Sequence, residues 1–172
     1  MLKYQKNKYW IAIYTKPRHE KVIRDNLISQ GFEVYLPMLK KRRKWADRKT
    51  WVEFPLFKSY LFVKIKIKNS IFVIQNPGVV KIIKFGNKTA IIHDNIINAL
   101  KLMIDGGYSP KTTDYFIKGD PVLVKEGPLK GIEGEIKEIE KNDRLIIHID
   151  ALQHSVSVKI DKKFLKSLKN KI

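Results

Sequence analysis

Cysteine is absent from all 172 residues. Disulfides, thiolate metal sites and cysteine nucleophiles are therefore excluded. Acidic side chains are scarce, 17 against 35 Lys and Arg, which leaves a formal net charge of +18. No window approaches the roughly 18 consecutive apolar residues of a membrane span. The opening M-L-K-Y-Q-K-N-K-Y-W also lacks the continuous apolar core of a signal peptide. Membrane insertion and export are not expected, and a cytoplasmic address is. Catalytic signatures are missing too. His19, His93, His148 and His154 are scattered, without H-E-x-x-H or metal-ligand spacing. Gly106-Gly107 is not followed by the Lys-Ser/Thr of a P-loop, and Glu133, Glu135, Glu138 and Glu140 read as a solvated strand face. Neither an enzyme nor a bound cofactor or metal is expected.

What the chain does have is apolar material, 44% of residues, and positive charge that is unevenly spread. Residues 1–110 hold 22 basic and 7 acidic side chains, whereas residues 111–172 hold 13 and 10. The asymmetry points to nucleic acid as the partner of the N-terminal part and to another task for the rest. A Lys-rich proteome accounts for Lys64, Lys66 and Lys68. It does not account for Lys40 to Lys49 (K-K-R-R-K-W-A-D-R-K), seven basic residues against one acid.

The stretch Trp51 to Lys68 organises the N-terminal part. Leu61, Val63, Ile65 and Ile67 alternate with Lys64, Lys66 and Lys68, the pattern of a strand with one buried and one solvated face. Phe54, Phe57, Tyr60 and Phe62 offer more aromatic surface than one side of a strand needs. Upstream, Tyr9 to Thr15 reads as a first strand, with Trp10, Ala12 and Tyr14 on one face and Ile11 and Ile13 on the other. Lys16-Pro17 opens a helix with Val22, Ile23 and Leu27 as its stripe and Gly31 as its C-cap. Phe32 to Leu36 forms a second strand, and the basic run is a hairpin or mobile loop. Downstream, a short helix from Ser70, a strand Val79 to Phe85, a turn at Gly86-Asn87, a strand Thr89 to His93 and a helix from Asn95 to about Asp105 complete the set. The expected class is α+β: an antiparallel sheet flanked by helices, over residues 1–107.

Residues 108–117, rich in Ser, Thr and Pro, are the expected linker. Beyond it, Asp120 to Lys125, Ile132 to Ile139, Leu145 to Ile149 and Ser155 to Ile160 are short strands that suggest a small β-barrel over residues 118–172. Asp161 caps a last amphipathic turn that brings Phe164, Leu165 and Leu168 to the barrel's end.

The segment I-K-G-D-P-V-L-V-K-E-G-P-L-K-G-I-E-G-E-I resembles a KOW motif, with Gly119, Gly127, Gly131 and Gly134 at its turns. The stretches W-I-A-I-Y-T-K-P-R-H-E-K, P-L-F-K-S-Y-L-F-V and N-P-G-V-V-K-I-I-K-F-G resemble, in order and spacing, the N-terminal domain of the NusG family of transcription elongation factors. Within it, P-L-F-x-x-Y-L-F-V and the basic run look most like specialised antiterminators of long polysaccharide-type operons. The resemblance implies a monomeric bacterial factor that binds the clamp helices of RNA polymerase and suppresses pausing or termination. The matching patch is Tyr14, Tyr60 and Phe62, with Phe54, Pro55 and Phe57 nearby. It further implies contact with non-template or upstream DNA through Lys16, Arg18, His19, Lys21 and Arg24, extended by Lys40, Lys41, Arg42, Arg43, Lys44, Trp45 and Arg48. Leu129 and Ile132 match apolar positions that the family presents to a ribosomal protein or to the termination factor Rho. Lys58 and Ser59 stand where many relatives carry Pro or Gly. A KOW-type RNA-binding protein of the translation machinery is the alternative, and it would call for a basic barrel rather than a nearly neutral one.

Overall fold

The computed structural model describes residues 7–45, 48–113, 119–139 and 142–168. They fall into two compact units, residues 1–93 and 94–172, so the helix after Ile92 groups with the second unit although the sequence pattern assigns it to the first.

The first unit is built on β1 (Tyr9–Thr15), followed by α1 (Glu20–Ser29) and β2 (Glu33–Tyr35). β3 (Met38–Trp45) and β4 (Arg48–Pro55) form a hairpin of their own. β5 (Tyr60–Ile65), α2 (Ser70–Ile74), β6 (Val79–Ile82), a small hairpin of β7 (Lys84–Phe85) and β8 (Lys88–Thr89), and β9 (Ile91–Ile92) follow. The sheet runs β2-β5-β1-β6, and β9 also pairs with β1. All its pairings are antiparallel.

One face of this sheet carries Ile11, Ile13, Leu61, Val63 and Ile65, which pack with Ile23 and Leu27 of α1, Val73 of α2 and Ile82 in a single apolar core. Period-two alternation places them there. The other face is not solvated as expected, because Trp10, Ala12 and Phe62 are buried on it. Both faces of the central strands are therefore core around Phe62, which accounts for part of the surplus aromatic surface.

The stretch Trp51 to Lys68 is not one strand. A turn at residues 56–59 separates β4 from β5, and the chain leaves the sheet after Ile65 into a 3-10 turn, Ile67–Asn69. The first helix starts at Glu20 rather than at Lys16-Pro17, because Arg18 takes the left-handed conformation, φ 66°, which no helix continues. Val22, expected in the buried stripe, is exposed, and Glu20 is buried in its place.

The second unit opens with α3 (Asp94–Asp105), whose Ile97, Ala99, Leu100 and Met103 are buried. β10 (Lys111–Thr113), β11 (Asp120–Val124), β12 (Glu133–Ile139), β13 (Asn142–Ile149), β14 (His154–Lys159) and β15 (Leu165–Ser167) form a six-stranded sheet ordered β10-β14-β13-β12-β11-β15. Four of these strands coincide with the expected ones. β10 lies inside the expected linker and pairs with β14 through Lys111↔Ser157 to Thr113↔Ser155. Asp161 caps a 3-10 turn by accepting from the Lys163 N–H at 3.0 Å, and Leu168 beyond it is exposed rather than a plug. Gly134 is required by close approach, since a Cβ there would sit 2.5 Å from the Ile146 carbonyl oxygen. Val122, Val124, Leu145, Ile147, Val156 and Val158 supply buried aliphatic side chains.

Candidate functional site

Tyr14 and Tyr60 lie directly opposite one another, at the C-terminal end of β1 and the start of β5. Their rings meet edge-on with centroids 5.1 Å apart. On the other side of Tyr14, Lys81 of β6 brings its Nζ to 5.9 Å from the ring centroid. Both tyrosines are half-buried. Burial pushes the Tyr60 hydroxyl above its ordinary pKa, with the neighbouring Tyr14 phenol adding to the shift, so at neutral pH Tyr60 is an uncharged donor beside an apolar body. That pairing of properties suits a protein interface.

The rest of the expected aromatic patch divides. Phe57 and Phe62 are buried, edge-on at 6.0 Å, and Phe62 also stacks on Tyr35 at 6.3 Å. They are core, because the sheet has no solvated face at Phe62. Phe54 (37% exposed) and half-buried Pro55 stand at the foot of the β3–β4 hairpin. As an exposed surface, the patch is thus Tyr14 and Tyr60, with Phe54 and Pro55 across the turn at 56–59.

That turn depends on a buried acid. Ser59 adopts φ 63°, the left-handed region where a glycine would be at ease. Its N–H donates to Glu20 Oε1 at 2.7 Å, and its carbonyl accepts from the Thr15 N–H at 2.8 Å. Glu20, 7% exposed in the first turn of α1, therefore positions the start of β5 and with it Tyr60. Sequence reasoning misses Glu20. Its only signal is an acid in a basic stretch, four residues before the Arg24 it would ordinarily be paired with.

Lys16, Arg18, His19 and Lys21 are exposed at the start of α1. The loop is held by the Lys16 N–H donating to the Gly78 carbonyl at 2.8 Å. A side chain at Gly78, φ 95°, would press on His19 Cδ2 and Ile23 Cδ1 at 3.2 Å each, so glycine after α2 leaves His19 the room it occupies. Arg24 is turned to its neighbour instead: its Nε donates to Asp25 Oδ1 at 2.8 Å. That hydrogen bond holds the Asp25 carboxyl below its ordinary pKa.

In the basic run, Lys40, Lys41 and Arg42 are exposed on β3. Arg43, Lys44, Trp45 and Arg48 take part in the backbone pairing, and their side chains lie outside the described part of the structure. A residue that the sequence does not single out as a nucleic-acid contact is Trp51, 65% exposed and paired opposite Arg42. Glu53 on the same strand lies 3.6 Å from Lys40 and 3.6 Å from Lys21 of α1, which ties the hairpin to the helix. No alternation marks Trp51 in the sequence; its place depends on hairpin register.

In the second unit, Leu129 and Ile132 are not apolar groups presented at a turn. They are 1% and 7% exposed. The turn folds them inward, with the Gly131 N–H donating to the Val124 carbonyl and the Ile132 N–H to the Leu129 carbonyl. Among the described residues no cluster of His, Asp and Glu could hold a metal, and no helix is long and apolar enough to cross a membrane.

Comparison with known proteins bears on the whole arrangement. Residues 8–101 match the family model of NusG, described as transcription termination factor nusG. The chain is similar in structure to Thermotoga maritima NusG, solved in a study of its domain interaction, with 20% identity and a TM-score of 0.54 over 94% of this chain and 98% of that one. It also aligns with a crystal structure of the MjSpt4:Spt5 complex in conformation B, at 19% identity and a TM-score of 0.35 over 92% and 96% of the two chains.

Proposed function

The chain belongs to the NusG family of transcription factors, and on that premise we propose that its first unit binds the clamp helices of RNA polymerase and suppresses pausing or termination. The observation that carries the reading is the Tyr14–Tyr60 pair, two half-exposed aromatic rings packed edge-on at 5.1 Å at one end of a sheet whose Trp10 and Phe62 are buried. Half-buried tyrosines over a rigid sheet are the usual anchors of an interface, since they are preorganised and lose little entropy on docking. A factor that binds only the closed clamp shifts the clamp toward closure by mass action.

Lys16, Arg18, His19 and Lys21, with the hairpin cations Lys40, Lys41 and Arg42, would meet upstream or non-template DNA. Basic groups there position phosphates. The second unit would recruit a ribosomal protein or Rho, through surface other than Leu129 and Ile132 as they are folded here. The kinship with specialised antiterminators rests on P-L-F-x-x-Y-L-F-V, and a polysaccharide gene cluster directly downstream would support it. The factor would act as a monomer.

Tyr14→Ala and Tyr60→Ala test the central claim by titration against polymerase core enzyme. Each is expected to weaken binding by about 1–3 kcal/mol while circular dichroism stays that of the parent. Parent-like affinity in both folded variants would place the anchor elsewhere.

A further inference from the structure

We propose that the Trp51 face of the β3–β4 hairpin is a stacking platform for an unpaired DNA strand. The proposal rests on the reading that the hairpin meets DNA, and it names the form of DNA taken. β3 and β4 pair one to one from Met38↔Pro55 to Trp45↔Arg48 without a register shift. Residues directly opposite in such a ladder share a face. Trp51 therefore shares its face with Arg42, and two residues nearer the base Glu53 shares it with Lys40. Because Glu53 also reaches Lys21 of α1 at 3.6 Å, this face of the hairpin continues into the basic start of the helix. A shallow groove passes Lys21, Lys40, Trp51 and Glu53.

The chemistry selects the ligand. An indole 65% exposed contributes little to holding the hairpin together and offers a flat apolar surface to water. Two cations of β3 stand beside it: Arg42 directly across the ladder and Lys40 two residues nearer the base. The lone acid on this face among described residues, Glu53, is shared between two lysines at 3.6 Å each, so it repels a phosphate weakly. An aromatic platform with adjacent cations binds an unpaired strand by stacking a base and following the backbone. A duplex keeps its bases stacked on one another and offers nothing to the ring. Phosphate contact alone would need the cations and not the indole.

The test is fluorescence anisotropy of labelled oligo(dT), the matching duplex and oligo(rU), titrated with the full chain at two salt concentrations. Trp51→Ala is expected to weaken oligo(dT) binding about fivefold or more, to leave duplex binding unchanged, and to preserve the salt slope. Trp51→Phe should retain most of the affinity, which separates stacking from any disturbance of the hairpin. Arg42→Ala should instead lower the slope by about 0.7, and Glu53→Gln should strengthen single-strand and duplex binding alike. The proposal is overturned if Trp51→Ala binds oligo(dT) as tightly as the parent. Equal loss on duplex and single strand, or a parent that prefers duplex or oligo(rU), overturns it as well. Free oligonucleotides are used throughout, so failure of polymerase binding would not disturb this result.

Discussion

The hairpins β3–β4 and β12–β13 have strands of almost equal length and opposite surroundings. β3–β4 is a two-stranded sheet by itself. Its residues Lys40, Lys41, Arg42, Trp51 and Phe54 are exposed, and it is held at its foot by Leu36, Pro37 and Leu56, where the Leu56 N–H donates to the Pro37 carbonyl at 2.9 Å. β13 lies between β12 and β14 at the middle of six strands, with Leu145, Ile146, Ile147 and Ile149 all buried. Even its arginine is inside: Arg144 Nε donates to Ser157 Oγ at 3.0 Å, and its Nη2 donates to the Ser157 carbonyl at 2.9 Å. An isolated two-stranded ribbon is at best marginally stable, so under the proposed function the first hairpin is kept for what its surface meets. The second is kept for what its interior holds. On that proposal the same secondary structure serves binding in one unit and stability in the other.

The contrast breaks most visibly, or not at all, in the core of β13. Leu145→Ala should cost about 2–5 kcal/mol by urea denaturation, whereas Lys41→Ala on β3 should stay within about 0.5 kcal/mol of the parent. Comparable losses from the two would mean that β3–β4 has a structural partner of its own.

The junction between hairpin and sheet sharpens the comparison at intermediate size. Glu20→Ala leaves the buried Ser59 N–H without its acceptor, at an expected cost of about 1–3 kcal/mol. Its effect should appear in amide exchange at the turn 56–59 before it appears on β3. Exchange that accelerates along the whole hairpin instead would show that the ribbon depends on this one carboxylate.

The smallest effect concerns charge. Lys41→Ala with Arg42→Ala should leave the melting profile unchanged and reduce the salt dependence of single-strand binding by about 0.7 for each phosphate no longer neutralised. An unchanged slope with weaker binding would argue that these side chains shape the ribbon rather than touch phosphates.

The sequence announces elements that bury one alternating face or one helical stripe. β1, β5 and the four strands β11 to β14 are legible for that reason, as is the antiparallel class of the first sheet. β10 is not, because Lys-Thr-Thr has no apolar period, and pairing with β14 comes from the sheet rather than from the segment. Alternation also cannot say whether a second face is covered, so Phe62 reads as a surface residue and is core. The positions of Leu129 and Ile132 fit a presented turn in outline, and only the hydrogen bonds around Gly131 turn them inward. Trp51 is visible as a tryptophan, yet its alignment with Arg42 requires the register.

The bond from Glu20 to Ser59 has a consequence for how such a chain can change over time. A non-glycine residue at φ 63° costs about 1–2 kcal/mol, and the Glu20 carboxylate offsets a cost of that order from the neighbouring helix. Glycine at position 59 would remove the strain, after which loss of Glu20 becomes tolerable. Losing Glu20 first leaves both the strain and an unmet donor. The two positions are therefore epistatic with a preferred order, glycine before the acid is lost. A double-mutant cycle over Ser59→Gly and Glu20→Ala should accordingly show that Glu20→Ala costs less in the Ser59→Gly background than in the serine background.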